Sequence, residues 1–234
     1  MTYVISDVHG CYEQYRALLE KIRFNDADTL YVLGDVIDRK PDGVRVLQDM
    51  MLRPNVIPVL GNHEFMAAAC LPWLMGEITK ENLEKLDKAH IGALRDWLDN
   101  GGGPTLRALR DLRQEEREDI LAYIRDFSLY EEIEVNGLSF LLVHAGLEDF
   151  TPDKALEEYR LGDFLFCRPE PDTVYWPDKL LICGHTPTWY LGCENKILRR
   201  ETWIDIDCGC GSGGPLGCLC LDTMGEFYVR EGES

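Results

Sequence analysis

Short apolar runs alternate with helical periodicity along the first third of the chain. Tyr3 to Ile5 is apolar and β-branched, the composition of a buried strand, and residues 11–22 ("CYEQYRALLEKI") place Tyr15, Leu18, Leu19 and Ile22 on one helical face. Thr29 to Leu33 is a second apolar run, followed by a helix-like segment from Gly43 to Leu52. Val56 to Leu60 is a third, followed by the helical "FMAAACLPWL". This alternation predicts an α/β fold. Residues 77–128 break the rhythm: they are highly charged and helical in pattern, with "DNGGGPT" as a loop, and predict a helical insertion packed beside the sheet. Leu138 to Val143 and Leu180 to Cys183 are further strands. Thr202 to Val229 reads as short strands joined by "GCGSGGPLG", which lacks the residue order of a phosphate-cradling loop. No Pro- or Ser-rich linker flanks the insertion, so residues 1–234 are expected to form one domain.

Five of the apolar runs end alike: "VISDVHG", "YVLGDVIDR", "IPVLGNHE", "FLLVHAG" and "LLICGHTP". Each places Asp, Asn or His within a residue or two of the strand end, mostly beside a glycine that lets the backbone turn. Four of the five histidines (His9, His63, His144 and His185) sit at these endings; His90 lies in the acidic insertion, where exposure is expected. One such residue alone reads as a turn former or a hydrogen-bonded structural group. Five together predict a crevice at the carboxyl ends of the strands, with Asp7, His9, Asp35, Asn62, His144 and His185 around one point. Imidazole with carboxylate or amide oxygen suits Mn²⁺, Fe or Zn²⁺. Six groups exceed the needs of one catalytic ion and fit two, which in such sites lie about 3.5–4 Å apart.

Composition narrows the partners. Lys and Arg total 24 against 42 Asp and Glu, a net charge of −18, which opposes attraction to duplex nucleic acid or an anionic membrane surface. No window approaches a membrane span and no signal-like segment opens the chain, so a cytoplasmic location with reduced thiols is expected. Cys208, Cys210, Cys218 and Cys220 form two C-x-C pairs that depart from the usual zinc spacing, and they read as buried apolar groups.

The ordered set D-x-H (Asp7, His9), G-D-x-x-D-R (Gly34 to Arg39), G-N-H-E (Gly61 to Glu64), H-A-G-L (His144) and G-H-T-P (His185) resembles the signature of the calcineurin-like metallophosphoesterases. Arg39 and Glu64 make it similar to the phosphoprotein phosphatase branch, whose bacterial members include serine/threonine phosphatases and symmetrical diadenosine tetraphosphatases and also resemble the chain at "WLDNGGGPTL". Lys40 stands where that branch usually has Gly, and "FLFCRPEP" replaces a segment that usually has Trp before its Arg. The resemblance implies a central β-sandwich flanked by helices in four layers (αββα), and two divalent ions, Mn²⁺ foremost. It implies that Asp7, His9 and Asp35 hold one ion and that Asp35 bridges to a second held by Asn62, His144 and His185. It further implies His63 as general acid oriented by Asp38, Arg39 and Asn62 as phosphate ligands with Arg168 as a second clamp, and metal-activated hydroxide as the nucleophile.

The leading functional expectation is a phosphomonoesterase acting on phosphoserine or phosphothreonine in proteins. The alternative is hydrolysis of a dinucleoside polyphosphate or a related nucleotide, and a non-catalytic binding protein stands third. The insertion is the expected crevice wall that separates the first two. Trp73, Trp97, Trp176 and Trp189 are candidate base platforms, although at their spacing each also reads as core.

Overall fold

The computed structural model describes residues 1–74 and 87–233. Part of the expected insertion, residues 77–86, therefore lies outside the described residues. Two five-stranded sheets stack face to face. The first has the order β10-β9-β1-β2-β3, built from β1 (Thr2–Ile5), β2 (Thr29–Leu33), β3 (Val56–Val59), β9 (Leu216–Cys220) and β10 (Gly225–Val229). The second has the order β4-β5-β6-β8-β7, built from β4 (Tyr130–Val135), β5 (Leu138–Val143), β6 (Lys179–Cys183), β7 (Leu198–Arg199) and β8 (Trp203–Asp205). Strands β1, β2 and β3 run parallel in one sheet, and β5, β6 and β8 run parallel in the other.

The apolar runs lack strict alternation because both faces of each sheet are covered. Successive residues of one strand enter different cores. Tyr3 and Ile5 face a helix-side core while Val4 faces the space between the sheets; Leu30 and Val32 divide from Tyr31 and Leu33 in the same way. In the second sheet Phe140, Leu142 and Ile182 fill the inter-sheet core, and Leu141, Val143, Leu181 and Cys183 face outward onto Phe164, Tyr175 and Trp203. Three cores separate four layers, the αββα arrangement expected.

The helix layer on the first sheet comprises α1 (Tyr12–Lys21), α2 (Gly43–Met51) and α3 (Asn62–Leu74), joined by α4 (Lys88–Asp99), α5 (Gly103–Arg110) and α6 (Gln114–Arg125) of the insertion. The fourth layer is slight, with one short helix α7 (Leu161–Leu165) among 3-10 turns and loops. One expectation is corrected here, and one strand goes beyond what the pattern predicts. The "DNGGGPT" loop closes at Gly102, and Gly103, Pro104 and Thr105 form the first turn of α5, where proline's fixed φ is tolerated. Strand β4, "YEEIEV", is an edge strand whose outward face carries carboxylates, which hid it among charged residues. Of the four C-x-C thiols, Cys208 lies in the inter-sheet core and the other three in the helix-side core. His90 is half-exposed and caps α4 together with Asp87. Among the described residues no helix is long and apolar enough to cross a membrane.

Ile182, fully buried between the sheets, is a test of that core. Ile182→Ala should cost about 2–5 kcal/mol through lost contacts and a residual cavity, read as a lower urea midpoint at unchanged slope. Leu52→Ala, at a residue 83% exposed, should stay within about 0.5 kcal/mol.

Candidate active site

The five strand endings meet. Parallel pairing puts the carboxyl ends of β1, β2 and β3 side by side, and backbone bonds tie their loops together: Asp7 N donates to Gly34 O at 3.1 Å and His9 N to Asp35 O at 2.8 Å. The second sheet is joined to them by His144, whose Nδ1 lies 2.7 Å from Leu33 O, and by His185 N, which donates to an Asp7 carboxylate oxygen at 2.9 Å. Glycines make the approach possible. A Cβ on Gly61 would strike Asp35 and lie 2.6 Å from Glu64 Oε2, and a Cβ on Gly184 would strike Asp7.

Asp35 is central. Its Oδ2 lies 3.6 Å from His9 Nε2 and 3.7 Å from His63 Nε2, and its Oδ1 lies 3.5 Å from His144 Nε2. Two groups of side chains have ligand atoms close enough to hold an ion, His9 with Asp35 and His63, and Asp35 with His144 and His185; Asp35 belongs to both. Asn62 Oδ1 lies 2.9 Å from His144 Nε2, and Asp7 Oδ1 lies 3.9 Å from His9 Nε2. The structure thus brings together all six expected ligands, and it adds His63 to the first group.

These side chains fit a pair of divalent ions on independent grounds. His9 Nδ1 is engaged by Ile37 O at 2.9 Å, which turns Nε2 inward, where it is buried without a hydrogen-bond partner. A buried, aimed, unpartnered nitrogen is a ligand atom lacking its acceptor. Burial, helped by the neighbouring His144 in the second case, pushes His9 and His185 down to about 3, so both rings are neutral and offer lone pairs. Burial and the Asp35 charge push Asp7 up to about 6. Burial opposes ionisation of Asp35 as well, yet His144, His63 and His9 together hold its carboxyl well below the usual range.

Asn62, His63 and Glu64 form the first turn of α3, where successive side chains diverge by about 100°. Asn62 faces His144. His63 Nδ1 lies 2.7 Å from Asp38 Oδ2, leaving Nε2 toward the crevice. Glu64 turns back and accepts from the backbone N–H groups of Asp35, Val36 and Ile37 at 2.8, 2.8 and 3.1 Å, which fixes the "GDVID" loop. Despite burial, the carboxylates of Asp35 and Asp38 push His63 up to about 9, and so keep it protonated.

Asp38 is itself held. Trp97 Nε1 donates to its Oδ2 at 2.8 Å and Thr105 Oγ1 donates to its Oδ1 at 2.6 Å. Arg39 is exposed, and its Nη2 lies 3.5 Å from His63 Nε2. Arg168 is also exposed at the crevice rim, where its Nη1 donates to Thr186 Oγ1, beside His185, at 3.3 Å. Sequence reasoning missed Trp97 and Thr105 as partners of Asp38 because they are 59 and 67 residues away. It also missed Asp205 and Asp207, buried at the end of β8, where burial and nearby carboxylates push both well up. Their "WIDIDCG" ending carried the same signal as the other five.

The four tryptophans are spent elsewhere. Trp97 is fully buried, Trp176 packs against Phe150 and donates to Pro152 O, Trp73 donates to Ala69 O, and Trp189 is pressed on Gly209. The insertion touches the site behind His63, through Trp97 and Thr105.

Two stacked sheets with paired His/Asp clusters sharing one carboxylate define a metallophosphoesterase. A family profile described as calcineurin-like phosphoesterase matches residues 2–195, and the chain belongs to that family. A protein of Pectobacterium atrosepticum named symmetrical bis(5'-nucleosyl)-tetraphosphatase is 36% identical over 236 aligned positions, covering 96% of this chain and 71% of that protein. A Buchnera aphidicola protein of the same name is 51% identical over 65 residues, 27% of this chain and 24% of its own length. The chain thus matches about a quarter of that relative. A solved structure titled as a putative diadenosine tetraphosphatase superposes with a TM-score of 0.68 over 100% of this chain and 94% of that one, at 17% identity, a likeness of fold.

Thr105→Val keeps the side-chain shape but removes the hydroxyl that binds Asp38. A hydrogen bond to a charged group is worth about 1.5–3 kcal/mol, so kcat on a phosphoester should fall about ten- to a hundredfold, with the divalent metal content measured by metal analysis unchanged. An unaltered kcat would separate Asp38 from turnover.

Proposed function

We propose that this chain is a metal-dependent hydrolase of dinucleoside polyphosphates that adds water across the central P–O–P bridge of diadenosine tetraphosphate and releases two ADP. The observation that carries this reading is the 36% identity to a symmetrical tetraphosphatase across 96% of the chain. It reverses the order expected from sequence, in which a phosphoprotein substrate stood first, because the named sequence relatives favour the nucleotide substrate.

The residues suit the task. Asp7, His9, Asp35, Asn62, His144 and His185 would hold two divalent ions, manganese foremost, which supply Lewis acidity for phosphoryl oxygens and lower the pKa of water. His63 holds a proton at Nε2, the face left free by the bond from Nδ1 to Asp38, and delivers it to the departing ADP oxygen. Asp38, gripped by Trp97 and Thr105, orients that ring. Arg39, 3.5 Å from the same Nε2, brings its planar fork to the phosphate that His63 serves. Arg168 reaches the chain of phosphates from the His185 side, and Asn62 offers its amide to a phosphoryl oxygen. An acidic protein thereby concentrates its positive charge where a polyphosphate must lie.

The test compares kcat/KM on diadenosine tetraphosphate and on a phosphoserine peptide with manganese present, together with product analysis. The dinucleotide should win by orders of magnitude with ADP as sole nucleotide product; a peptide preference, or AMP with ATP, would sink the proposal. His63→Asn should lower kcat by about 10²–10⁴-fold, the usual worth of a general acid, while two metals per chain remain.

A further inference from the structure

A groove of about 420 Å³ opens beside His185 and is lined by Arg168, Pro169, Glu170, Thr186, Tyr190 and Leu191. Its volume lies within the range of small-molecule sites, about 300–1,000 Å³. It begins at the candidate metal ligands, since Thr186 follows His185 directly and accepts the bond from Arg168. Tyr190 stands on the 3-10 turn Thr188–Leu191 and is 72% exposed, an unusual position for an aromatic ring. Its neighbour Trp189 anchors the turn by packing on Gly209, and Tyr190 N is bonded to Pro187 O at 2.9 Å. The exposed ring therefore sits on a fixed support.

We infer that this groove is a nucleoside subsite, in which the base stacks on Tyr190 while Arg168 clamps the phosphates that lead back to His185. The inference rests on the dinucleotide reading above and deepens it. The groups that line the groove suit a nucleoside diphosphate: the Arg168 guanidinium for acidic phosphates, the Tyr190 ring as a platform for the base, and the Glu170 carboxylate as an acceptor for ribose hydroxyls or an exocyclic amine. Every base has a π-face, and one aromatic platform contributes enough for about a tenfold or greater change in affinity. The four tryptophans, engaged elsewhere, do not compete for this role.

The experiment is calorimetric titration of the manganese-loaded full chain with ADP and, separately, with inorganic pyrophosphate, which shares the phosphates and lacks the base. In Tyr190→Ala, ADP affinity should fall about tenfold while pyrophosphate affinity stays within twofold, and Tyr190→Trp should retain ADP binding. Equal losses for both ligands would mark a structural defect, and unchanged ADP affinity would leave no stacking; either overturns the inference. A loss confined to a phosphoserine peptide, with ADP binding intact, would assign the groove to peptides and overturn it as well. If ADP binding behaves as expected but diadenosine tetraphosphate is not hydrolysed, the subsite stands and the proposed reaction falls.

Discussion

The carboxylate of Asp35 is the group on which the site depends. It is buried, and its two oxygens lie 3.5–3.7 Å from His9, His63 and His144, which come from three strand endings in two sheets. An unpaired buried carboxylate would cost several kcal/mol. Here the surrounding imidazoles favour its ionised form, and Glu64 fixes its loop by taking three backbone N–H groups. Burial, with the nearby Asp35 charge, pushes Glu64 up to about 7. Two neighbouring buried carboxylates, Asp35 on its loop and Glu64 on α3, are costly for folding alone and consistent with cations held between the sheets.

Backbone conformation tells the same story. Asp7, His9, Asp35, Asp38, Arg39 and His185 adopt φ between 47° and 71°, the left-handed region that side chains with a Cβ seldom occupy. Each such residue costs of order 1 kcal/mol or more. The cost is tolerated because loop-to-loop bonds such as His9 N to Asp35 O and Gly184 N to His144 O, at 2.8 and 2.7 Å, fix the turns from outside. A left-handed residue just after a strand folds the chain back sharply, so a ligand one or two residues beyond the sheet still projects over its end. Glycine would accept these angles more readily but could not carry a ligand atom.

The site was legible in the sequence to the extent that its chemistry demands unusual residues at strand ends. Asp, Asn and His at five apolar run endings are conspicuous, and the structure gathers them. What supports them was less legible. Trp97 reads as core because it sits at a helical, apolar position; that its indole N–H also serves Asp38 depends on a contact between residues 59 apart. The presence of two sheets is likewise hidden in runs such as "FLLV", whose successive residues are all apolar although alternate ones enter different cores. The groove beside His185 is not legible in the residue pattern, because only the fold's exposure of Tyr190 distinguishes that ring from the other aromatic side chains.

Net charge sets the remaining constraint. At −18 the chain repels a polyphosphate at long range, so binding cannot rely on an overall field. At physiological ionic strength that repulsion is screened over about 8 Å, and only charges within reach of the phosphates count. Arg39 and Arg168 stand on separate segments, one after β2 and one after α7. Both are exposed and near imidazoles, at His63 and next to His185 respectively. A phosphate chain seated over the ligands would therefore lie within reach of both guanidinium groups, while the acidic remainder of the surface disfavours longer anionic polymers. Under the proposed function, local cation placement inside an acidic protein would favour a short polyphosphate over a nucleic-acid strand, even though both carry the same charged group.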